Sequence, residues 1–336
     1  MISVILCTYN RCKSLAAALE SVATSRLPAS VEWEVVVVDN NSNDQTRVVA
    51  EEFAVGYPGR FRYLFEPKPG KSQALNSGVA AARGDVLAFM DDDVSVDPNW
   101  LDLLTAPLRG ASEWSGSGGP VTLVWSCPPP RWLDTARAYS NAPLASFNLG
   151  EKEIDMPEPP FGTNMAFRKS MFRKYGKFRT DLGPSPRTDI PRPNEDTEFG
   201  RRLISGGERL CYVPGAIVNH PVPEERLKKE YFLNWWYDKG RADIREWGIP
   251  SGSVCVRGVP IHVLRRLAVW ALRWMVAITP GHRFDCKLKV WGKLGEIAES
   301  RRQFAGFRRP KNDPKKDRTE NDQGKEKEKV QCATVV

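Results

Sequence analysis

The sequence lacks the features that would place it among disulfide-stabilised, zinc-binding or membrane-spanning proteins. Its seven cysteines are scattered and none are spaced as Cys-x-x-Cys, so we predict neither a zinc ribbon nor a disulfide framework and expect a reducing compartment. No apolar run reaches the roughly 18 to 20 residues of a spanning helix, because Arg273 interrupts the best candidate, residues 267–279. The N-terminal residues have no basic segment followed by a long apolar stretch, so we expect no signal peptide and no membrane crossing.

An excess of positive charge is missing from most of the chain. The 336 residues contain 49 Lys and Arg against 41 Asp and Glu, a net charge of +8, but 19 of the basic and 9 of the acidic residues lie from Arg257 onward. The first 256 residues therefore carry 30 basic and 32 acidic side chains. The hydrophobic fraction of 41% is typical of a globular protein with a sizeable core, which excludes collagen-like, wholly disordered and multi-span membrane proteins.

The N-terminal part of the chain alternates short apolar runs with amphipathic segments. The predicted strands are residues 3–7, 35–38, 62–65 and 86–90, and the predicted helices are residues 14–25, 44–53 and 72–82. Continuous runs rich in β-branched residues suit strands that are buried on both faces of a parallel sheet. Asn43 or Asp44 is expected to cap the second helix. We therefore predict an α/β fold with a Rossmann-like doubly wound sheet, whose ligands bind at the carboxyl ends of the strands.

Beyond the fourth strand the pattern is looser. Residues 115–119 are rich in Gly and Ser and residues 156–162 contain three prolines, so both segments are predicted as loops. A helix is predicted over residues 197–204, followed by short strands over residues 211–213 and 216–218.

Acidic side chains follow two of the predicted strands, with Asp39 after the second and Asp91, Asp92 and Asp93 after the fourth. Carboxylates this close raise one another's pKa values and need a compensating charge. A divalent cation such as Mg²⁺ or Mn²⁺ provides it, since these ions bind carboxylate oxygens and accept substrate phosphates in the remaining positions. The alternative is that the three consecutive aspartates form only a polar turn at the end of a strand.

The loop at residues 67–72 precedes the third predicted helix, whose N-terminal N–H groups favour anions. Lys71 in this loop either neutralises a phosphate or is a solvated loop lysine. The segment is not a Walker A loop, because Gly-x-x-x-x-Gly-Lys is absent.

Five segments, in order over roughly residues 1–220, resemble the signatures of family 2 glycosyltransferases with the GT-A fold. They read SVILCTYNR at 3–11, VVVDNNSNDQT at 36–46, GKSQALNSG at 70–78, GDVLAFMDDD at 84–93 and NEDTEFGRRL at 194–203. The resemblance implies a GT-A type mixed sheet and the transfer of a sugar from a nucleotide-sugar with inversion of the anomeric centre. It also implies Mg²⁺ or Mn²⁺ as the cofactor.

By position, the resemblance assigns a role to each candidate site residue. The nucleotide-sugar contacts are Thr8, Tyr9, Asn10, Arg11, Asp39, Asp44, Lys71, Asn76, Asp91 and Asp92. The metal ligands are Asp93, Asp91 and His220, and the acceptor side includes Asn164. Trp235 and Trp236, which lie beyond the resembling segments, are added to the acceptor side because aromatic rings can stack on sugars. The general base, which takes a proton from the acceptor hydroxyl, is Asp196, with Glu195 as the alternative.

Some of these residues also have a purely structural explanation. Glu195, Asp196 and Glu198 would form an acidic first turn of a helix, which the helix dipole favours. His220 would be a structural histidine at the end of a strand instead of a metal ligand.

The residues of the acceptor side have alternatives as well. Asn164 would either bond a sugar hydroxyl or cap the following helix. Trp235 and Trp236 would stack on sugar rings, lie at a bilayer edge or belong to the core. The Gln-x-x-Arg-Trp motif of processive synthases is absent, which favours a single addition over polymerisation.

The C-terminal part of the chain reads as an extension of the catalytic domain. That domain is predicted over residues 1–250, with a nucleotide-sugar half at about 1–110 and an acceptor half at about 111–250. Residues 257–309 carry 12 basic and 3 acidic residues, with Trp and Leu at helical spacing, which predicts a basic amphipathic helical segment in peripheral contact with an anionic membrane. Packing on the catalytic domain or simple solvation are the alternatives.

No nucleic-acid motif accompanies the charge, so no nucleic acid partner is expected. Residues 310–336 are predicted to be a disordered tail.

The function expected from these observations is that of an inverting, metal-dependent glycosyltransferase, on the cytoplasmic face of a membrane. It would move one sugar from a nucleotide-sugar, UDP-linked in our prediction, to a hydroxyl of a glycan or lipid-linked acceptor. Two alternatives remain at this point. One is a sugar nucleotidyltransferase, and the other is a nonenzymatic nucleotide-binding protein that assembles at membranes.

Overall fold

The structure, a computed structural model, describes residues 1–133, 135, 141–187 and 189–308. The tail predicted over residues 310–336 lies outside the described residues. The chain divides into two compact units, one from Met1 to Phe232 and one that begins at Leu233.

An eight-stranded sheet forms the centre of the first unit. The strands of this unit are β1 (Ile2–Thr8), β2 (Trp33–Asp39), β3 (Phe61–Phe65), β4 (Val86–Asp91), β5 (Ser95–Val96), β6 (Trp114–Gly118), β7 (Val121–Trp125), β8 (Ile154–Asp155), β9 (Met165–Arg168), β10 (Arg209–Tyr212) and β11 (Val218–Val222). The sheet order is β3-β2-β1-β4-β9-β6-β10-β8, and β5, β11 and β7 form a smaller sheet. Strands β1 to β4 are parallel, whereas β9 runs antiparallel to both β4 and β6. The predicted α/β fold with a mixed sheet is thus confirmed.

Helices connect the parallel strands as the alternation predicted. Those of the first unit are α1 (Cys12–Ala23), α2 (Thr46–Gly56), α3 (Lys71–Ala81), α4 (Trp100–Thr105), α5 (Lys169–Tyr175) and α6 (Glu195–Ser205). The boundary between the units falls within α7 (Lys229–Trp247), and the second unit continues with β12 (Cys255–Val256), β13 (Val259–Pro260), α8 (Ile261–Val276) and α9 (Pro280–Arg308).

The central sheet is buried on both faces, which explains why its strands are continuous apolar runs. Val35 and Val37 of β2 belong to one hydrophobic cluster, with Leu15 of α1. Val36 and Val38 belong to a second cluster on the other face. Because successive side chains of a strand point to opposite faces, both clusters are needed to bury one strand completely.

The Gly/Ser segment predicted as a loop is instead the central strand β6. A Cβ atom at Gly116 would lie 2.5 Å from the ring of Phe167 and 2.8 Å from a methyl group of Leu210. The glycine therefore makes room for large side chains of the neighbouring strands, and its low strand propensity is overridden by this packing. The strand predicted over residues 216–218 begins at Val218 and runs to Val222, so His220 lies within β11 and not after a strand.

The second unit consists mainly of α8, α9 and the continuation of α7. Glu299 of α9 is buried and accepts hydrogen bonds from Arg245 of α7, at 2.8 Å, and from Arg302, at 3.2 Å. Within the described residues, no helix is both long and apolar enough to cross a membrane.

Candidate active site

The carboxyl ends of three parallel strands bring the first candidate residues together. In the strand register Thr8 of β1 lies beside Asp39 of β2, and Cys7 of β1 lies beside Asp91 of β4. Thr8 and Asp39 are buried, whereas the side chain of Tyr9 is exposed at the surface. The edge of the sheet that was predicted to bind a ligand therefore carries Asp39 and Asp91, one on each side of β1.

Asp39 is held in place by two hydrogen bonds. Its Oδ1 accepts from the backbone N–H of Ser42 at 2.9 Å, and its Oδ2 accepts from the hydroxyl of Tyr63 at 2.9 Å. Burial and the carboxylate of Asp39 raise the pKa of Tyr63 to about 12, so the tyrosine remains a hydrogen-bond donor at neutral pH.

Asn10 and Asp44 use their side chains to fix the loops around Asp39. The Oδ1 atom of Asn10, a residue with a φ of 52°, accepts from the backbone N–H of Asn43 at 2.8 Å. Asp44 accepts from the backbone N–H of Cys12 at 3.1 Å and of Thr46 at 3.0 Å. Although desolvation opposes it, a hydrogen bond from the Thr46 hydroxyl and these two N–H groups lower the pKa of Asp44 to about 2. Asp44 therefore binds the first turns of two helices instead of capping α2 alone.

Lys71 occupies the first position of α3 and points its ammonium group into the site. Its Nζ lies 2.6 Å from Asp91 Oδ1 and 3.6 Å from Glu195 Oε1. Burial disfavours the charged lysine, but Asp91 and Glu195 outweigh this effect and hold the pKa of Lys71 well above its ordinary value. Asn40 positions the preceding loop, because its Oδ1 accepts from the backbone N–H of Gly70 at 2.7 Å.

Asn76, which was predicted to contact the nucleotide-sugar, forms two hydrogen bonds with the protein backbone. Its amide group donates to the carbonyl oxygen of Phe178 at 2.9 Å, and its Oδ1 accepts from the N–H of the same residue at 3.0 Å. Both polar groups of the side chain thus link α3 to the backbone that precedes α6. The predicted contact of Asn76 with the donor stays a prediction.

Arg11 lies between the last two aspartates of the acidic turn. Its Nη1 is 3.0 Å from Asp92 Oδ1 and 2.6 Å from Asp93 Oδ2. Burial raises the pKa of Asp92 to about 6, with Arg11 opposing the shift and Asp93 adding to it. Burial would also raise the pKa of Asp93, but the charges of Arg226 and Arg11 lower it below the ordinary value.

His220 and Arg226 complete this cluster. His220 Nδ1 lies 2.8 Å from the carbonyl oxygen of Leu144, which can only accept, so Nδ1 carries the proton and the lone pair is on Nε2. His220 Nε2 is 3.8 Å from Asp93 Oδ1 and 2.7 Å from Arg226 Nη1. Arg226 Nη2 also binds Asp93 Oδ2 at 2.5 Å.

The cluster fits a divalent cation in its chemistry. Asp93 Oδ1 and His220 Nε2 lie 3.8 Å apart, and the second imidazole nitrogen donates to a backbone carbonyl, as is usual for metal-binding histidines. Asp91, the other predicted ligand, is paired with Lys71 instead. In the part of the chain that the structure describes, no group of three or more His, Cys, Asp or Glu residues is arranged as a metal site.

The carboxylates of the candidate base lie at the start of α6. Asp196 Oδ2 accepts from the backbone N–H of Gly162 at 2.5 Å, and Oδ1 accepts from the N–H of Thr197 at 2.6 Å. A Cβ atom at Gly162 would lie 2.8 Å from this carboxylate, so only glycine permits the approach. Asp196 is partly exposed, whereas Glu195 is 4% exposed. Burial, and then the charge of Asp196, raise the pKa of Glu195 to about 8.

Asn164, predicted for the acceptor side, lies just before β9 in the first unit. Asn164 is buried, donates to the carbonyl oxygens of Pro120 at 2.9 Å and Ala216 at 2.7 Å, and accepts from Trp100 Nε1 at 2.8 Å. Its side chain therefore does not cap the following helix, and its role toward an acceptor stays a prediction.

Trp235 and Trp236 lie on α7 in the second unit. Their rings pack against each other at a centroid distance of 5.0 Å.

Sequence reasoning missed Arg226 and Asn40. Arg226 lies 133 positions after Asp93, with which it pairs, and belongs to none of the five recognised segments. Its only local signal is its place six residues after His220. Asn40 was within a recognised segment, but its role depends on a loop that folds back on it.

Comparison with known proteins shows which proteins the chain is similar to. The family model described as Glycosyl transferase family 2 matches residues 3–112. The chain is 30% identical over 239 residues to the succinoglycan biosynthesis protein ExoM of Rhizobium meliloti, covering 70% of this chain and 72% of that protein. It is 28% identical over 282 residues to the glycosyltransferase AglE of Haloferax volcanii, covering 83% and 81%.

Two solved structures share the fold. The mannosyltransferase PcManGT from Pyrobaculum calidifontis, in complex with GDP-Man and Mn²⁺, superposes with a TM-score of 0.50 at 18% identity and covers 91% of this chain and 75% of that one. GalNAc-T7 with UDP, GalNAc and Mn²⁺ superposes with a TM-score of 0.54 at 17% identity, covering 74% and 51%. The GT-A fold predicted from the motifs is confirmed, and the chain belongs to the family 2 glycosyltransferases.

Proposed function

We propose that this glycosyltransferase moves a single sugar from a UDP-linked donor to a hydroxyl of a glycan or lipid-linked acceptor, with inversion and with Mg²⁺ or Mn²⁺. The observation that carries the proposal is the set of contacts of Lys71, whose ammonium group pairs with Asp91 at 2.6 Å and lies 3.6 Å from the carboxyl group of Glu195. It joins the end of β4, where a nucleotide binds in folds of this kind, to the start of α6, where the candidate base lies.

The donor lies along the carboxyl ends of β1, β2 and β4 in this proposal. Thr8, Tyr9 and Asp39 take the base and ribose, with the carboxylate of Asp39 accepting an N–H group of the base. Lys71 and Arg11 supply positive charge for the diphosphate, since both already face carboxylates at this edge. Positive groups placed where negative charge develops on the departing nucleoside diphosphate lower the barrier of transfer.

The metal that we propose would be held by Asp93 and His220, whose facing donor atoms fit Mn²⁺ or Mg²⁺. When bound, such an ion neutralises diphosphate oxygens and thereby stabilises the leaving group. The Nδ1–H of His220, bonded to Leu144, fixes the ring so that Nε2 faces Asp93.

Asp196 is the general base in this proposal, and Glu195 is not. With a pKa of about 8, Glu195 is mostly protonated at neutral pH, so little of it is in the carboxylate form that accepts the proton of an acceptor hydroxyl. Asp196 is anchored by two backbone N–H groups and is partly exposed, so its carboxylate is oriented and accessible to an acceptor. Two carboxyl groups with different environments are a common way to separate acid and base roles.

The assay is the release of UDP from UDP-sugars with Mn²⁺, after a calorimetric screen of nucleotide-sugars identifies the donor. Asp93→Ala and Asp196→Asn should each lower kcat by about 100-fold or more. Arg173→Ala, which alters an exposed residue of α5, is the control and should retain full activity. If both site variants turned over as fast as the wild type, the mechanism would be wrong. Pyrophosphate released from a nucleoside triphosphate and a sugar phosphate, in a separate assay, would indicate a nucleotidyltransferase instead.

The proposal places the protein at an anionic membrane surface through α8 and α9. Apolar side chains of α8 are exposed, among them Leu272 at 58% and Met275 at 67%, and Ile278 just beyond the helix is 95% exposed. Arg266 and Arg273 of the same helix are also exposed. An exposed apolar stripe with basic neighbours complements acyl chains and anionic headgroups together.

Flotation with liposomes tests this contact with the full-length chain. The protein should float with vesicles that contain phosphatidylglycerol and stay behind with pure phosphatidylcholine. Met275→Glu should reduce flotation, whereas Val55→Glu, at an 81% exposed position of α2, should not. Equal recovery of all proteins in the soluble fraction would remove the membrane from the proposal.

A further inference from the structure

Arg226 contacts both residues that we propose as metal ligands. Its guanidinium group places Nη1 2.7 Å from His220 Nε2 and Nη2 2.5 Å from Asp93 Oδ2. The side chain is 19% exposed, and Asp93 is 18% exposed. The arginine follows β11 directly, in a short 3₁₀ turn that spans Glu224–Leu227.

This arrangement competes with a cation for the same lone pairs. The Nε2 atom of His220 has one lone pair, which accepts from Arg226, because Nδ1 carries the proton. A metal ion bound by His220 and Asp93 would need that lone pair and a position beside the same carboxylate. The guanidinium of Arg226 and a metal ion therefore cannot use His220 at the same time.

The charges of the cluster also disfavour a metal ion that binds without an anion. Asp93 already faces two guanidinium groups, from Arg11 and Arg226. A divalent cation that entered without an anion would face this positive charge at close range, where like charges repel strongly. A nucleoside diphosphate brings anionic oxygens, and a guanidinium group binds phosphate oxygens in a bidentate geometry.

We propose that Arg226 is a donor-binding residue that exchanges partners: it pairs with Asp93 and His220 in the free enzyme and moves to the diphosphate when metal and nucleotide bind together. The inference rests on the proposed use of a metal and a nucleotide-sugar. The exchange makes metal binding and nucleotide binding depend on each other, because each relieves the cost of the other.

Titration of Mn²⁺ against the full-length protein, followed by electron paramagnetic resonance, tests the exchange without any turnover. With the metal alone, Arg226→Ala should bind Mn²⁺ at least about 10-fold more tightly than the wild type. Arg226→Lys keeps a cation but loses the fork that bridges two acceptors, so its affinity should be intermediate. Arg173→Ala on α5 is the matched control for the loss of one arginine and should match the wild type.

The same titration with UDP, and in parallel with GDP, measures the coupling. Nucleotide should increase the Mn²⁺ affinity of the wild type by about 10-fold or more and that of Arg226→Ala by clearly less. If Arg226→Ala and the wild type bound Mn²⁺ with equal affinity in the absence of nucleotide, the exchange of partners would be refuted. The proposed metal site would still be supported by that result. If none of the proteins bound Mn²⁺ even with nucleotide, the metal part of the proposed function would fail, and the exchange with it.

Discussion

Replacing Glu195 by Gln should remove a dependence of stability on pH that the buried carboxyl imposes. Burial and the neighbouring Asp196 raise the pKa of Glu195 from 4.5 to about 8 in the folded protein, so the folded state keeps a proton that the unfolded state releases above about pH 4.5. The free energy of unfolding of the wild type therefore falls as the pH rises through this window. Glutamine does not titrate and has no such loss.

The size of the effect follows from the two pKa values. At about 1.4 kcal/mol per pH unit, values of 4.5 and about 8 limit the total loss to about 5 kcal/mol. Between pH 6 and pH 8 the wild type should lose about 2 kcal/mol relative to Glu195→Gln. Lys71, whose ammonium group is 3.6 Å from Glu195, opposes the shift, and the value of about 8 already includes its effect. Any constant cost of placing an amide at this position cancels, because only the change with pH is compared.

Urea denaturation of both proteins at several pH values between 5 and 9 measures the difference. Equal m values would show that the two proteins unfold by the same transition. Asp196→Asn is a second check, because it removes the like charge that contributes to the shift and should move the window to lower pH. Curves for the wild type and Glu195→Gln that stay parallel across the range would refute the reasoning, and the argument for Asp196 as the base would lose its support from protonation.

Two further predictions concern the fold around the site. Asn164→Ala should lower the free energy of unfolding by about 3 kcal/mol, because it leaves three buried hydrogen-bonding groups without their partner; a thermal midpoint equal to that of the wild type would contradict this. Gly116→Ala should cost about 2 kcal/mol in urea denaturation, since its methyl group would lie 2.5 Å from the ring of Phe167, and an unchanged midpoint would show that the strand has room to spare.

The β/α alternation could be predicted from sequence because its signals are local. Each parallel strand is a short run of consecutive apolar residues, and both faces of β2 are buried by helices that lie close to it along the chain. The acidic residues after β2 and β4 were found for the same reason, since a parallel sheet places strand ends together. Strand β6 could not be predicted, because Gly116 is suited to a strand only when Phe167 fills the space beside it.

The site residues differ in the same way: some are identified by local sequence patterns, and others depend on distant parts of the chain. Lys71 and Asp91 come from segments that pattern alone identifies, and the structure pairs them. The bonds of Asn76 and Asn164 are made with backbone groups far along the chain, so the sequence offered no reason to prefer a structural role for these side chains. Arg226 depends on the path of the chain after β11, which no short motif encodes.

The acidic turn at the end of β4 also shows why charge in a sequence does not identify its counter-ion. Three adjacent aspartates need compensation, and a metal ion is the simplest source of it. The chain supplies its own cations instead, because Lys71 pairs with Asp91, Arg11 with Asp92, and Arg11 and Arg226 with Asp93. The acidic turn alone is therefore no argument for a metal ion. The argument for the metal that we propose comes from the Nε2 atom of His220, which lies 3.8 Å from Asp93 Oδ1.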